Sequence, residues 1–175
     1  MAALKDLVPA DALIALDTGE FNHWFDLGFP GQQQELLLSS KWRSIGCGLP
    51  AAIGAKLACP EKTVMAIVGD GGFISSMSEL LTCVRYHLAI AIIVVKNGVY
   101  SIEKNKMFSE GFTPFGYELI TPDFVRLARS CGVAGYLVES PADIVGSVRH
   151  ALDSGKPALL EVICADIELP RNQVT

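Results

Sequence analysis

A single α/β domain, one parallel sheet with helices on both faces, is the fold this sequence predicts. Short apolar, β-rich runs alternate along the chain with segments of helical length, the pattern that a parallel sheet with covering helices requires. Asp70 and Asn97, each just beyond an apolar run, are 27 residues apart (97 − 70). That interval suits one helix and one strand returning both side chains to the same end of a parallel sheet. At 175 residues, half of them apolar, the chain suits one domain over 1–175 and can bury a substantial core without disulfides or metal staples.

The elements follow in order. Ala12 to Leu16 reads as a first strand ending at Asp17-Thr18-Gly19, and a polar, glutamine-rich, irregular segment continues through Gln34. An Ala-rich helix spans Leu49 to Leu57, with Pro50 in its first turn and Cys59-Pro60 ending it. Thr63 to Val68 is the second strand, Phe73 to Tyr86 a long helix, and Ala89 to Val95 the third strand. Residues 98–121 form a Gly/Pro-bearing excursion, and a stretch that long between elements is more often functional than idle. A helix from Phe124 to Cys131, a strand near Tyr136 to Glu139, a helix from Ala142 to Leu152 and a strand from Leu159 to Ile163 complete the pattern. Thr121-Pro122-Asp123 and Ser140-Pro141 cap the two late helices.

Composition narrows the function. A net charge of −5 with no basic cluster excludes nucleic acid as a partner. The longest apolar run, Leu88 to Val95, falls far short of the roughly 20 residues that span a bilayer, and no export signal opens the chain. Five cysteines, an odd number without a Cys-x-x-Cys pair, read as small core residues of a reduced, cytoplasmic protein. With only 19% charged residues the chain has more apolar surface than a soluble monomer needs, and a partner is expected to cover some of it.

Gly69-Asp70-Gly71-Gly72 falls at the end of the second strand, where backbone must turn sharply and come close to a ligand. The helix that follows would direct free N–H groups and the positive end of its dipole to the same spot. Asn97 arrives at the end of the neighbouring strand. Magnesium takes hard oxygens, and when it serves a phosphate ligand the protein supplies one or two carboxylates plus neutral oxygens. Asp70 would give a carboxylate oxygen, Asn97 an amide oxygen and Val99 a main-chain carbonyl. Alone, an Asp-Gly turn and an Asn cap would yield the same letters. In this strand, helix, strand context they read as a magnesium ion carrying a diphosphate, and they point to thiamine diphosphate.

With these motifs in view the sequence resembles the C-terminal cofactor domain of the thiamine diphosphate enzymes of the acetolactate synthase, pyruvate oxidase and 2-oxo acid decarboxylase group. The resemblance runs from about residue 12 to residue 167 and implies a diphosphate-binding (PP-type) fold. Gly69 to Phe73 and Asn97 match the family's metal and diphosphate motif. The resemblance extends to Ser44-Ile45-Gly46-Cys47-Gly48-Leu49-Pro50 and the Ala-rich stretch after it, the family segment that holds the middle of the cofactor. Ile45 stands at the bulky position that props the two rings into a V, so the cofactor's amino group sits beside the thiazolium carbon whose proton it takes. Arg43 stands where the family generally has a glycine whose carbonyl holds the aminopyrimidine. Asp17 to Phe21 resembles a loop that touches the diphosphate, which adds Thr18 and Gly19, with Glu20 and Phe21 where Gln and His are usual. Tyr100 joins the cofactor set beside Val99. The later stretch from Gly111 to Gly116, then Pro122 to Phe124, resembles the oxidase-like branch.

The resemblance implies half an active site. Family enzymes carry a pyrimidine-binding domain whose glutamate protonates the aminopyrimidine, and the sequence contains none. A chain that begins with Met and ends in a polar tail reads as a naturally separate subunit of a hetero-oligomer, as in split sulfopyruvate decarboxylases, with a cloned domain as the other reading. A separate pyrimidine-binding subunit would supply the glutamate. The implied reaction is decarboxylation of a 2-oxo acid, releasing an aldehyde or passing the acyl-anion unit to a second carbonyl. A flavin-dependent oxidase subunit and a noncatalytic cofactor-binding subunit are the alternatives. Glu103 and Lys104 would face substrate or form an exposed helix pair. His23, His87 and His150 are scattered and take no chemical role.

Overall fold

The computed structural model describes residues 1–167, and the polar tail 168–175 lies outside the described residues. Six strands form one sheet in the order β2-β1-β3-β4-β6-β5, every neighbouring pair parallel. They are β1 (Leu13–Leu16), β2 (Glu35–Leu38), β3 (Val64–Gly69), β4 (Ile90–Lys96), β5 (Ala134–Val138) and β6 (Ala158–Ile163). The helices are α1 (Phe21–Gly28), α2 (Gly48–Ala58), α3 (Asp70–Ser76), α4 (Leu80–Arg85), α5 (Ser101–Ser109), α6 (Phe124–Ser130) and α7 (Ile144–Asp153). The predicted α/β class with helices on both faces is the one observed.

Strand periodicity sorts the core into two layers. Val64, Ala66 and Val68 of β3, with Ile90, Ile92 and Val94 of β4, face α2, α3, α4 and α6. Met65 and Ile67, with Ala91 and Ile93, face α1, α7 and the N-terminal segment. Phe73 of α3 meets Phe124 of α6 edge to face, ring centroids 5.1 Å apart, both fully buried. Burial on that scale stabilises by about 1.5–3 kcal/mol per ring, so the element after the glycine turn is fixed to the sheet by its first aromatic.

Sequence periodicity missed three features. The segment expected to be irregular through Gln34 contains α1, which buries Phe21 and Phe25. It is followed by β2, an edge strand whose side chains are mostly exposed, so its pattern carries no burial signal. The excursion at 98–121 contains α5, a helix without apolar periodicity. The helix expected over Phe73–Tyr86 starts earlier, at Asp70, and breaks: α3 ends at Ser76, a 3-10 turn spans Met77–Glu79 and α4 resumes at Leu80. Just before the break Ser75 Oγ donates to the Gly71 carbonyl at 3.5 Å, a back-bond of the kind that bends helices.

Of the two expected caps, one lies where it was expected and one differs. Asp123 caps α6, its carboxylate accepting from the Arg126 N–H at 2.8 Å. Ser140 Oγ accepts from the Ala142 N–H at 3.2 Å in a turn before α7 rather than at the helix start. Of the cysteines, Cys83 is buried, with its thiol pushed up to about 12 chiefly by that burial, whereas Cys164 is exposed and not a core residue. Among the described residues, no helix is long and apolar enough to cross a membrane.

The strand order sets the site. From β1 the chain first adds β2 on one side and later β3 on the other, so the order reverses between β1 and β3. Ligands of open α/β sheets bind beyond the carboxyl ends of strands at such a reversal.

Candidate cofactor and metal site

A cleft opens at that reversal. It is lined from β1 by Thr18 and Gly19, from the loop before α2 by Arg43 and Ile45, from the β3–α3 turn by Gly69 to Gly72, and from the β4–α5 turn by Asn97, Val99 and Tyr100. Of the residues predicted to touch cofactor or metal, Ser44 alone is not brought to the cleft; its N–H donates to Ser39 Oγ at 3.3 Å.

Asp70 is buried at 3% exposure. Its Oδ1 accepts from the Gly71 N–H at 2.9 Å and its Oδ2 from the Gly98 N–H at 2.7 Å. Burial raises this carboxyl above its ordinary range, and the N–H groups of Gly98, Gly71 and Asn97 pull it partly back. Among the described residues no Lys, Arg or His side chain pairs with it. A buried carboxylate without a cationic side chain is costly, and a divalent cation at its oxygens removes the cost. Asn97 Oδ1 accepts from the Val99 N–H at 3.2 Å. The bridge from Val99 to Glu118 uses the Tyr100 N–H and the Gly98 carbonyl, and so leaves the Val99 carbonyl out of those two bonds. Among the described residues no three His, Cys, Asp or Glu side chains gather to hold a metal. One carboxylate with neutral oxygens is instead the donor set that suits magnesium on a diphosphate.

The glycines are there for space. A Cβ on Gly71 would come within 2.5 Å of the Tyr100 ring, and one on Gly19 within 2.3 Å of the Phe21 ring. Gly98 needs its left-handed φ of +75° to bring its N–H to Asp70. At seven residues α3 is too short for the helix dipole expected from sequence, so close N–H groups and not a macrodipole face the cleft. Arg43, in place of the family glycine, holds φ +46°, a left-handed conformation that glycine adopts freely and arginine does not. Ile45, predicted as the wedge, is 44% exposed on the cleft wall.

Sequence reasoning missed the supports behind this wall. Glu20, an acid near an expected phosphate, is tied to α5: its Oε1 accepts from Asn105 Nδ2 at 2.8 Å. Lys104 neither faces the cleft nor pairs with Glu103 in an exposed helix pair; it is buried and ion-paired with Asp166. Asp166 also accepts from Ser101 Oγ at 3.2 Å, and Ser101 Oγ accepts from Asn97 Nδ2 at 2.7 Å. This chain fixes which way the Asn97 amide points, its nitrogen on Ser101 and its oxygen on the Val99 side. Asp17, read from sequence as the end of a strand and the start of a loop resembling a diphosphate contact, is fully buried. Glu20 and Asn105 are 85 residues apart, Ser101 and Asp166 65, and Asp17 and Gly46 29, so no local spacing announces these pairs.

The family described as "Thiamine pyrophosphate enzyme, C-terminal TPP binding domain" matches residues 17–162. The catabolic acetolactate synthase of Raoultella terrigena is 33% identical over 164 residues, spanning 91% of this chain and 29% of that protein. The sulfoacetaldehyde acetyltransferase of Castellaniella defragrans is 28% identical over 174 residues, 92% of this chain and 28% of that one. Among solved structures, the Rhodococcus jostii RHA1 thiamine diphosphate-dependent 4-hydroxybenzoylformate decarboxylase has a similar fold, with a TM-score of 0.83 and 28% identity. The match covers 94% of this chain and 31% of that chain. The chain thus spans under a third of the length of these relatives.

Proposed function

This chain belongs to the thiamine pyrophosphate enzymes, as the C-terminal TPP-binding domain of that family, and from that membership we propose that it is the diphosphate- and magnesium-binding half of a two-chain active site acting on a 2-oxo acid. The observation that carries the reading is Asp70: a buried carboxylate without a cationic side chain, placed where the strand order reverses. Asp70, Asn97 and the Val99 carbonyl would hold Mg2+. Backbone around Thr18, Gly19, Gly71 and Gly72 would meet the diphosphate, and Tyr100, packed on Gly71, would close that end of the cleft.

When bound, thiamine diphosphate would supply the electron sink for loss of carbon dioxide from the 2-oxo acid, whose remaining acyl-anion unit is released as an aldehyde or transferred. This chain's part is to bind and to orient. Ile45 supports the middle of the cofactor, while Arg43 and Glu103 line the same cleft and are the charged groups an acidic substrate would meet. No residue here is assigned the proton transfer to the aminopyrimidine; a glutamate of a separate pyrimidine-binding subunit takes that role. Support for a second chain comes from the exposed apolar side chains of the groove next to the cleft, where Trp42 is 89% exposed.

The test is to capture the tagged chain from its native cells, identify what co-purifies, and assay the complex with 2-oxo acids, Mg2+ and thiamine diphosphate. A stoichiometric partner with a pyrimidine-binding domain, and turnover lost in Asp70→Ala, are the expected results. A chain recovered alone removes the two-chain reading. Cofactor binding by the complex without turnover makes it a noncatalytic binder, and a flavin domain in the partner makes it an oxidase.

A further inference from the structure

The geometry points to Asp17 as a positioning residue that registers the wedge loop against the diphosphate turn, an inference that rests on the proposed cofactor site and deepens it. Asp17 ends β1 and is fully buried. One carboxylate oxygen, Oδ1, accepts from the Thr18 N–H at 2.7 Å and from Cys47 Sγ at 3.4 Å. The other, Oδ2, accepts from the Gly46 N–H at 2.8 Å. Both neighbours of that last bond matter: Gly46 follows Ile45 directly, and its φ of +83° is one that glycine adopts freely.

Glycines converge on the same carboxylate. A Cβ on Gly72 would lie 2.6 Å from Asp17 Oδ2 and 3.1 Å from the Gly46 nitrogen. A Cβ on Gly48 would lie 2.9 Å from Asp17 Cβ. The side chain therefore packs between three segments: the end of β1, the Ile45 loop and the Gly71-Gly72 turn. It bonds to the first two and packs on the third. Among the described residues no cationic side chain pairs with it, so hydrogen-bond donors alone meet its carboxylate, and two of the three, the Gly46 N–H and the Cys47 thiol, belong to the loop that carries Ile45. Fixing Ile45 relative to Gly72 fixes the distance between the middle of the cofactor and its diphosphate, which is what a bent cofactor needs from its scaffold.

Asn at this position is isosteric and separates the roles. Its one oxygen can serve Thr18 and Cys47, and its amide N–H2 then faces the Gly46 N–H, donor against donor. Gly72 keeps its packing while the Ile45 loop loses its anchor. Isothermal titration of the full chain at saturating Mg2+, with thiamine diphosphate and with inorganic pyrophosphate as separate probes, reads the two ends apart. Asp17→Asn is expected to weaken thiamine diphosphate by about tenfold or more while pyrophosphate stays within about threefold. Equal losses for both probes, or no loss for either, would overturn the role. If Asp17→Asn does not fold, Gly46→Ala tests the same contact from the loop side. Its Cβ would meet Ser75 Cβ at 2.9 Å and force the loop off Asp17, and the same split between probes is expected. A parallel loss there overturns the role as well. Wild-type chain that binds neither probe overturns the cofactor site itself, a result distinct from either variant's.

Discussion

Asp70 couples the chain's stability to pH and to metal in a direction that can be worked out. Burial raises its carboxyl in the folded chain, so the folded state holds that proton more tightly than the unfolded state. The stability it contributes is therefore present below the ordinary carboxylate value of about 4 and is lost as pH rises through the raised value. In metal-free chain, the difference in melting temperature between wild type and Asp70→Asn is expected to fall as pH climbs through that window and then level off. Saturating Mg2+ and thiamine diphosphate should reverse it, because the cation favours the ionised carboxylate. A flat difference in metal-free chain would place Asp70 in a solvated setting. Ser101 offers a second handle. It accepts from Asn97 and donates to Asp166, which Lys104 neutralises. Ser101→Ala frees the Asn97 amide to rotate, and loss of such an outer support costs about 10–100-fold in metal affinity. The expected result is weaker Mg2+ binding at fixed cofactor, restored by excess Mg2+; an unchanged midpoint in the magnesium titration would show that Asn97 is oriented without Ser101.

At the scale of elements, the turn that delivers Asn97 is held by a buried charge pair. Lys96, the last residue of β4, pairs with Glu161 of β6 at 2.6 Å, and the second oxygen of Glu161 accepts from the Val125 N–H at 3.1 Å. Lys96 also lies over the Phe124 ring at 5.1 Å. The pair thus joins the β4 end, β6 and the start of α6. Lys96→Met leaves Glu161 buried without its cation, and breaking a buried pair from one side costs about 3–5 kcal/mol. Because Lys96 keeps some contact with water, the low end, about 3 kcal/mol, is expected from urea denaturation; a loss under about 1 kcal/mol would mean that Glu161 is satisfied by Val125 alone. Such pairs are invisible to sequence, since their members are 65 residues apart. What is legible is what physics writes locally. The continuous apolar runs of β3, β4 and β6 announced a buried parallel sheet, and the glycine turn with Asp70 and Asn97 announced a site at its edge. Half-exposed β2 and the helix α5, with no apolar stripe, had no local signal. The interior of the site, Asp17 and the Ser101–Asp166–Lys104 chain, became visible only once the sheet had brought distant segments together.

On the proposed two-chain reading, the molecule leaves one wall of its site to a partner. Its cleft and the groove beside it share Arg43 and Glu103, and that groove is bordered by Leu36 and Leu38 of the edge strand, by Trp42 and by Ile102. Exposed apolar side chains gathered next to a ligand cleft mark a surface for a partner to cover. A chain that only bound small ligands would gain nothing from an 89% exposed tryptophan on that surface. The two tryptophans allow this to be read optically. In a Trp24→Phe background Trp42 is the sole indole, and in the isolated chain its emission is expected at the red, water-exposed end. On addition of the subunit that co-purifies with the chain, the emission should move to the blue as that surface is covered. Trp42→Ala should then weaken the complex by at least about 2 kcal/mol, the cost of truncating a central aromatic anchor. Emission that stays red in a complex that is nonetheless formed would put the contact elsewhere on the molecule.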